Sequence, residues 1–313
     1  MALSSFSQQL FTGLALTLCL ASGTARLIKW RVAGGRPHAV IDNLNARINA
    51  WWVMVGVLAF SFWFERFGLL LLFAAISALA LREYARVAGL QAQDGRLLRY
   101  LCWLFLPVQY GLIAIDWYGL YAIFIPVYAF LVLPMLATQC GDTRNFLARC
   151  ACAQWGLMAC VYCLSHVPAL QTLAIPGWSG SGLQLVAFLL LVAQGSDVLQ
   201  YIWGKLLGRT PVAPQLSPSK TVEGLLGGVA SATLLGAALH PITPFSPLQA
   251  AALAFTICVM GFLGGLVMSA IKRGAGVKDW GQLIEGHGGL LDRLDSVAFA
   301  APVFFHFVRY GWT

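Results

Sequence analysis

The side chains that could carry out chemistry are concentrated near the end of the chain. Four acids and four basic residues lie between Ser269 and Ser296, although charged residues make up only 10% of the sequence. Asp292 and Asp295 are three residues apart and would share one face of a helix. Paired carboxylates suit Mg²⁺, which proteins bind through one or two carboxylates together with substrate phosphates. This cluster favours a Mg²⁺-assisted, phosphate-handling site over a purely structural loop.

Basic side chains would neutralise the phosphate charge at such a site. The cations that the sequence offers are Lys205, Lys220, Lys272, Arg273, Lys278 and Arg293.

Glycines surround a single histidine within the same stretch. Gly286 precedes His287, and Gly288 and Gly289 follow it. Glycine allows a backbone to approach a ligand closely and to adopt positive φ, which a merely solvated loop does not need. His287 could bond a phosphate or transfer a proton, or it could be a structural hydrogen-bonding residue, and the sequence leaves these roles open.

A second stretch places an acid inside an apolar run. Gln194, Asp197 and Tyr201 are spaced so that they share one helix face. An ionisable group at membrane depth is costly and usually faces a cavity or a partner. We expect Asp197 to belong to the site, the alternative being a structural pairing with a basic residue near the interface.

A third stretch, Ser217–Thr221, combines hydroxyl groups with Lys220. Ser217 followed by Pro218 suits an N-cap and the first turn of a helix. The free N–H groups of a helix start, together with Lys220, Ser219 and Thr221, would suit a phosphate. A capped helix start is also a common structural feature.

The elements that position these residues must be membrane helices. Hydrophobic residues make up 59% of the 313 residues, so lipid must be the solvent for most of the surface. A helix that crosses a bilayer needs about 20 apolar residues, and only helices satisfy the backbone in such spans. We expect an all-α polytopic membrane bundle of about ten helices. The expected spans are Phe6–Ala25, Ile48–Phe64, Phe67–Gly89, Leu97–Ile115, Trp117–Thr138, Phe146–His166, Gly182–Leu207, Val222–His240, Leu248–Ile271 and Val297–Tyr310.

The distribution of basic residues predicts the orientation. All Lys and Arg residues except Arg66 and Arg309 fall in every second loop, which the positive-inside rule places in the cytoplasm, with both termini outside. The net charge of +8 therefore marks cytoplasmic loops rather than a nucleic-acid partner.

Because residues 1–9 lack Lys and Arg, we expect the first segment to be retained as a helix. We expect one continuous membrane domain, in which 1–180 form a scaffold and 181–313 form the catalytic region.

The stretch Ser269–Ser296 resembles the signature of the CDP-diglyceride synthetase (phosphatidate cytidylyltransferase) family. It contains Ser-x-x-Lys-Arg, then Lys-Asp, then His-Gly-Gly-x-x-Asp-Arg-x-Asp at matching spacing, with Glu285 as a departure. The stretches around Asp197 and Lys220 resemble that family in the same order. The segments Arg47–Trp52 and Arg82-Glu83-Tyr84 are similar to a side branch of the family, which leaves the lipid acceptor open, and the sequence does not decide what Arg82 and Glu83 pair with.

The resemblance implies transfer of CMP from CTP to phosphatidate or a related phospholipid, with Mg²⁺ as cofactor. The partners would be the bilayer and these substrates, with no nucleic acid and a possible homodimer. The setting would be a bacterial cytoplasmic (inner) membrane, with the site on its cytoplasmic face. Expected metal ligands are Asp292, Asp295 and Asp197. Expected catalytic residues are Asp197, Lys220, Lys272, Lys278, Asp279, His287 and Arg293. Expected substrate-binding residues are Tyr201, Lys205, Ser217, Ser219, Thr221, Ser269, Arg273, Gly288 and Gly289.

Three other functions remain open at the level of the sequence. A CTP-dependent polyprenol or phytol kinase would use similar phosphate chemistry but would release CDP instead of pyrophosphate. An anionic-solute transporter would show broken helices near the bilayer midplane and pseudosymmetric halves, which the sequence does not suggest. A catalytically idle relative with a scaffolding role is disfavoured by the full set of acids and cations.

Overall fold

A computed structural model describes residues 5–34, 36, 38–90, 95–139, 141–283 and 288–313. These residues form ten helical segments and one two-stranded antiparallel sheet. The helices are α1 (Ser5–Ala33), α2 (Ala39–Trp63), α3 (Glu65–Val87), α4 (Gly95–Ala114), α5 (Tyr118–Thr138), α6 (Phe146–Thr172), α7 (Gly182–Leu207), α8 (Val222–Ala238), α9 (Pro247–Gly274) and α10 (Leu291–Trp312). The strands are β1 (Pro211–Ala213) and β2 (Ser217–Thr221).

The helices are those of an integral membrane protein. Eight of them, α1 to α7 and α9, are long and apolar enough to cross a membrane. Helix α8 is apolar but only 17 residues long, and α10 begins with three charged residues of the last stretch, Asp292, Arg293 and Asp295. The expectation of an all-α polytopic bundle is confirmed, and α7 has the bounds expected for the seventh span.

The helices differ in how far protein surrounds them. Helices α1 and α2 pack mainly on each other, and α2 also packs against α3. By contrast, α10 packs against α6, α7 and α9. Phe188 of α7, Phe245 and Phe304 of α10 form an aromatic cluster there, with ring centroids 5.7 to 6.3 Å apart. The core therefore lies around α10, the helix that carries Asp292 and Asp295.

Glycines allow close approach where the functional stretches meet. A methyl group at Gly228 of α8 would lie 2.6 Å from the backbone of Gln200 in α7. A methyl group at Gly261 of α9 would lie 3.1 Å from the Cβ of Ser296 in α10. Small residues at such contacts let membrane helices pack backbone to backbone. Gly228 thereby brings α8 close to α7, and Gly261 brings α9 close to α10.

The expected helix start at Ser217 and Pro218 is wrong. Ser217–Thr221 is a strand that pairs with β1, and the helix begins at Val222. Thr221 is the N-cap, and its hydroxyl accepts the N–H of Gly224 at 3.1 Å. The reason is that a Ser-Pro pair is also tolerated at the start of an edge strand, while a β-branched Thr suits both a strand and an N-cap.

Candidate active site

Ser296 joins two carboxylates that come from different helices. Its hydroxyl donates to Asp197 Oδ2 of α7 at 2.8 Å, and its backbone N–H donates to Asp295 Oδ1 at 2.8 Å. Asp197 is exposed and Asp295 is partly buried, so the pair remains accessible to a ligand. Among the residues that the structure describes, Asp197 Oδ1 and Asp295 Oδ2 accept no hydrogen bond. Two carboxylate oxygens are thus available at one accessible position.

Lys220 brings a cation to this pair from strand β2. Its Nζ lies 4.9 Å from the ring centroid of Phe262. A methyl group at Gly265 would lie 2.6 Å from Lys220 Nζ and 3.6 Å from Asp295 Oδ2, so the absence of a side chain at Gly265 makes room for the ammonium beside the carboxylate. Burial lowers the pKa of Lys220, while Asp295 and Asp197 act to raise it and Lys272 acts to lower it.

Asp292 makes a different set of contacts, one helical turn before Ser296. Its Oδ1 lies 2.5 Å from Lys272 Nζ in a buried ion pair. Its Oδ2 accepts the backbone N–H groups of Trp280 and Gly289, both at 2.9 Å. Because both oxygens already have protein partners, this geometry favours a positioning role for Asp292 over the expected metal-ligand role.

The glycines of the last stretch lie where side chains would collide. Gly288 has φ of +84°, and a methyl group there would lie 3.0 Å from Asp292 Oδ2. A methyl group at Gly289 would lie 2.6 Å from the backbone nitrogen of Gly281. Positive φ and close backbone approach are the two properties that glycine supplies. His287, expected to be catalytic, lies outside the described residues together with Glu285.

Glu83 of α3 reaches the same region, which the sequence did not assign. Its side chain is 6% exposed, and its two oxygens accept the N–H groups of Leu290 and Leu291, both at 3.0 Å. The neighbouring Tyr84 ring lies 5.8 Å from that of Trp280. An acid inside an apolar helix was the signal that could have identified this contact.

Several expected site residues lie outside this centre. Tyr201 is 61% exposed, and Lys205 Nζ lies 5.8 Å from the Tyr201 ring centroid. The Arg273 guanidinium donates to the backbone oxygens of Leu216 and Val277. The hydroxyl of Ser269 donates to the Gly265 oxygen within α9. Ser217 and Ser219 lie on strand β2, and Lys278 and Asp279 lie on the loop after α9.

Arg293 lies at the border of the centre. Its backbone oxygen accepts a hydrogen bond from Gln194 at 3.1 Å. Its guanidinium is close enough to Asp197 for the two charges to attract each other. Gln194 and Asp197 therefore face α10 together, as their spacing predicts, whereas Tyr201 on the same helix is exposed.

The carboxylates fit a metal ion that also uses ligands from a substrate. Within the described ranges, no group of three or more His, Cys, Asp or Glu side chains could hold a metal ion by itself. Mg²⁺ typically binds through one or two carboxylates plus phosphates and waters. Asp197 and Asp295, each with an oxygen that has no partner among the described residues, match that requirement.

Comparison with known proteins identifies the family. The model of the "Cytidylyltransferase family" matches residues 45–311. The uncharacterized protein YnbB of Escherichia coli K12 is 40% identical over 294 residues, which cover 94% of this chain and 95% of that protein. The phosphatidate cytidylyltransferase of Bacillus subtilis is 30% identical over 267 residues, covering 83% and 92% of the two chains. That of Synechocystis is 48% identical over 115 residues, covering 36% and 39%. The chain therefore belongs to the cytidylyltransferase family and is a membrane-embedded nucleotidyltransferase.

Proposed function

We propose that the protein transfers CMP from CTP to phosphatidate or a closely related phospholipid, giving a CDP-activated lipid and pyrophosphate. The observation that carries this proposal is the convergence of Asp197, Asp295 and Lys220 from three separate elements onto one accessible position. Carboxylates for a divalent cation beside an ammonium for phosphate are the groups that such a transfer requires. The phosphatidate cytidylyltransferases among the relatives support the same reaction.

The chemistry requires little activation of the nucleophile. A phosphate monoester has a second pKa near ~6 and is mostly charged at neutral pH. One of its oxygens would attack the α-phosphorus of CTP, and the bond from that phosphorus to the bridging oxygen would break, so pyrophosphate leaves with the electron pair. The main obstacle is to bring two polyanions together, which positioned cations overcome.

Each group at the centre would have a separate task. Asp197 and Asp295 would hold Mg²⁺, which when bound supplies positive charge that neutralises and orients the triphosphate. The ammonium of Lys220 would contact a phosphate oxygen beside Asp295. The ion pair of Lys272 and Asp292 would keep the loop after α9 in place, so that the first turn of α10 presents Asp295 correctly.

The proposed setting is the cytoplasmic face of a bacterial inner membrane. The basic loops predict that the ends of α7 and α9 face the cytoplasm, where CTP is available. The acyl chains of the lipid would stay in the bilayer while its phosphate reaches Lys220 from the interface.

The experiment uses the protein purified in detergent with CTP labelled at the α-phosphate, Mg²⁺ and a panel of phospholipids, with a polyprenol and phytol as further acceptors. We expect equal amounts of labelled lipid and pyrophosphate with phosphatidate or a related acceptor, and none when Mg²⁺ is chelated. Release of CDP with an unlabelled lipid product would instead indicate a CTP-dependent kinase of polyprenols or phytol. Absence of both products with every lipid tested would reject a nucleotidyl transfer to phospholipids.

A further inference from the structure

We infer that Glu83 of α3 is a positioning residue for the active site, which acts together with Asp292 on the backbone at the start of α10. The inference uses the proposed function only for its activity measurement, because the contacts on which it rests are structural.

Three consecutive backbone N–H groups at the start of α10 have carboxylate acceptors. The N–H of Gly289 donates to Asp292, and those of Leu290 and Leu291 donate to Glu83. The first N–H groups of a helix have no partner inside the helix, and a carboxylate at this end is also favoured by the helix dipole. Glu83 is therefore a capping group supplied by a residue more than 200 positions away in the chain.

Two glycines let the loop backbone approach this carboxylate closely. Methyl groups at Gly281 and Gly289 would each lie 2.8 Å from a Glu83 oxygen. Next to it, Tyr84 packs along the buried Trp280, whose backbone N–H donates to Asp292. Glu83 and Asp292 thus hold neighbouring N–H groups of the same backbone.

Holding the first turn of α10 determines where the following turn points. Asp295 and Ser296 come four and five residues after Leu291, and Ser296 donates to Asp197. Without the Glu83 carboxylate, the buried N–H of Leu291 and the part-buried N–H of Leu290 lose their acceptors, which is costly. We expect the turn to fray and the carboxylates of Asp295 and Asp197 to lose their alignment. A misplacement of about 1 Å is enough to lower a rate by roughly 100-fold.

The test compares Glu83→Gln with Glu65→Gln in the full-length protein in detergent. Glu65 belongs to the same helix but is exposed at its other end, so it controls for loss of a negative charge on α3. Hydrogen–deuterium exchange is followed for a peptide covering residues 288–296. Because the glutamine amide keeps one acceptor oxygen, we expect exchange of at least one of the 290 and 291 amides to rise at least about tenfold in Glu83→Gln, with no change in Glu65→Gln or in peptides from α1.

Kinetics separate positioning from simple stabilisation. Since Glu83 is proposed to contact no substrate, kcat per folded molecule should fall at least about tenfold while KM for the lipid changes less than about twofold. Glu83→Asp retains the charge but shortens the side chain, so it should recover part of the activity and serves as the measured variant if Glu83→Gln does not fold. Unchanged exchange at 290 and 291 in a folded Glu83 variant, or full kcat despite faster exchange, would overturn the inference. If the wild-type protein shows no nucleotidyl transfer, the proposed function fails while the exchange measurement still decides whether Glu83 holds the loop.

Discussion

Lys272 and Asp292 form an ion pair across the α9–α10 junction, with 2.5 Å between Nζ and Oδ1 and side-chain exposures of 10% and 6%. Asp292 also accepts two backbone N–H groups, so the pair fastens two helices and the loop between them. Removing one partner of a buried pair leaves a charge without compensation, which is more costly than removing both.

A double-mutant cycle tests this relationship. We expect Lys272→Met or Asp292→Leu alone to lower the free energy of unfolding by about 3–5 kcal/mol, and the double variant to lose clearly less than the sum of the two. The matched control is the pair Arg66–Asp116, whose side chains are 36% and 51% exposed. Its coupling energy should be about 0–1 kcal/mol. Measurement is by unfolding in detergent, and equal coupling in both pairs would contradict the assignment.

Gly265 is predicted to tolerate no side chain if the site is to function. The atom that a methyl group would meet is the end of a flexible chain, Lys220 Nζ at 2.6 Å, so Gly265→Ala should fold but displace the ammonium. We expect kcat/KM to fall by roughly ten- to 100-fold with little change in the thermal midpoint. Gly111→Ala, where a methyl group would meet nothing within 4 Å, is the control that should keep full activity. Full activity of Gly265→Ala would show that the position of Lys220 is unimportant.

The carboxylates of Asp197 and Asp295 are predicted to be essential for activity but not for folding. Each Asp→Asn variant should lower kcat by about 100-fold or more, since an amide removes the charge that binds a cation. Residual activity should require more Mg²⁺ for half-saturation. Asp142→Asn, which alters an ion pair with Arg149 elsewhere in the chain, should leave both quantities unchanged. An Asp295→Asn protein with wild-type kcat and Mg²⁺ dependence would remove this residue from the metal site.

Thr221 is predicted to act through the start of α8. Its hydroxyl accepts the Gly224 N–H, so Thr221→Ala should cost about 1 kcal/mol of stability, whereas Thr221→Ser should cost little. Thermal unfolding of the three proteins in one detergent measures the difference. If Thr221→Ala keeps its stability but loses affinity for CTP, the hydroxyl binds substrate, as the family resemblance implies.

The helices could be predicted because lipid imposes a simple requirement on sequence. A span must be apolar over about 20 residues, and a cytoplasmic loop is usually basic, so Gly182–Leu207 could be delimited without any tertiary information. The grouping of Asp197, Lys220 and Asp295 was predicted because ionisable residues are rare and costly in an apolar chain. The resemblance of their three stretches to one family indicated the same grouping.

The finer contacts could not be predicted because they depend on packing between distant segments. Glu83 and Leu290 are 207 positions apart, and no local pattern pairs them. Asp292 and Asp295 look equivalent in sequence, yet both oxygens of Asp292 contact Lys272 or the loop backbone, while one oxygen of Asp295 has no partner in the part of the chain that the structure describes. The choice between helix and strand at Ser217–Thr221 was decided by pairing with β1, which lies outside the motif.

Helices α1 and α2 expose most of their side chains, as Leu20, at 75% exposed, and Phe60, at 67%, illustrate. Acyl chains are about as apolar as leucine. A helix that mainly contacts lipid must therefore be hydrophobic and long enough, but its side chains need no particular shape. Substitutions among apolar residues in this hairpin should accumulate with little penalty. The family match begins at residue 45, inside α2. This start is expected if the preceding residues mainly contact lipid, so that their exact side chains are weakly constrained.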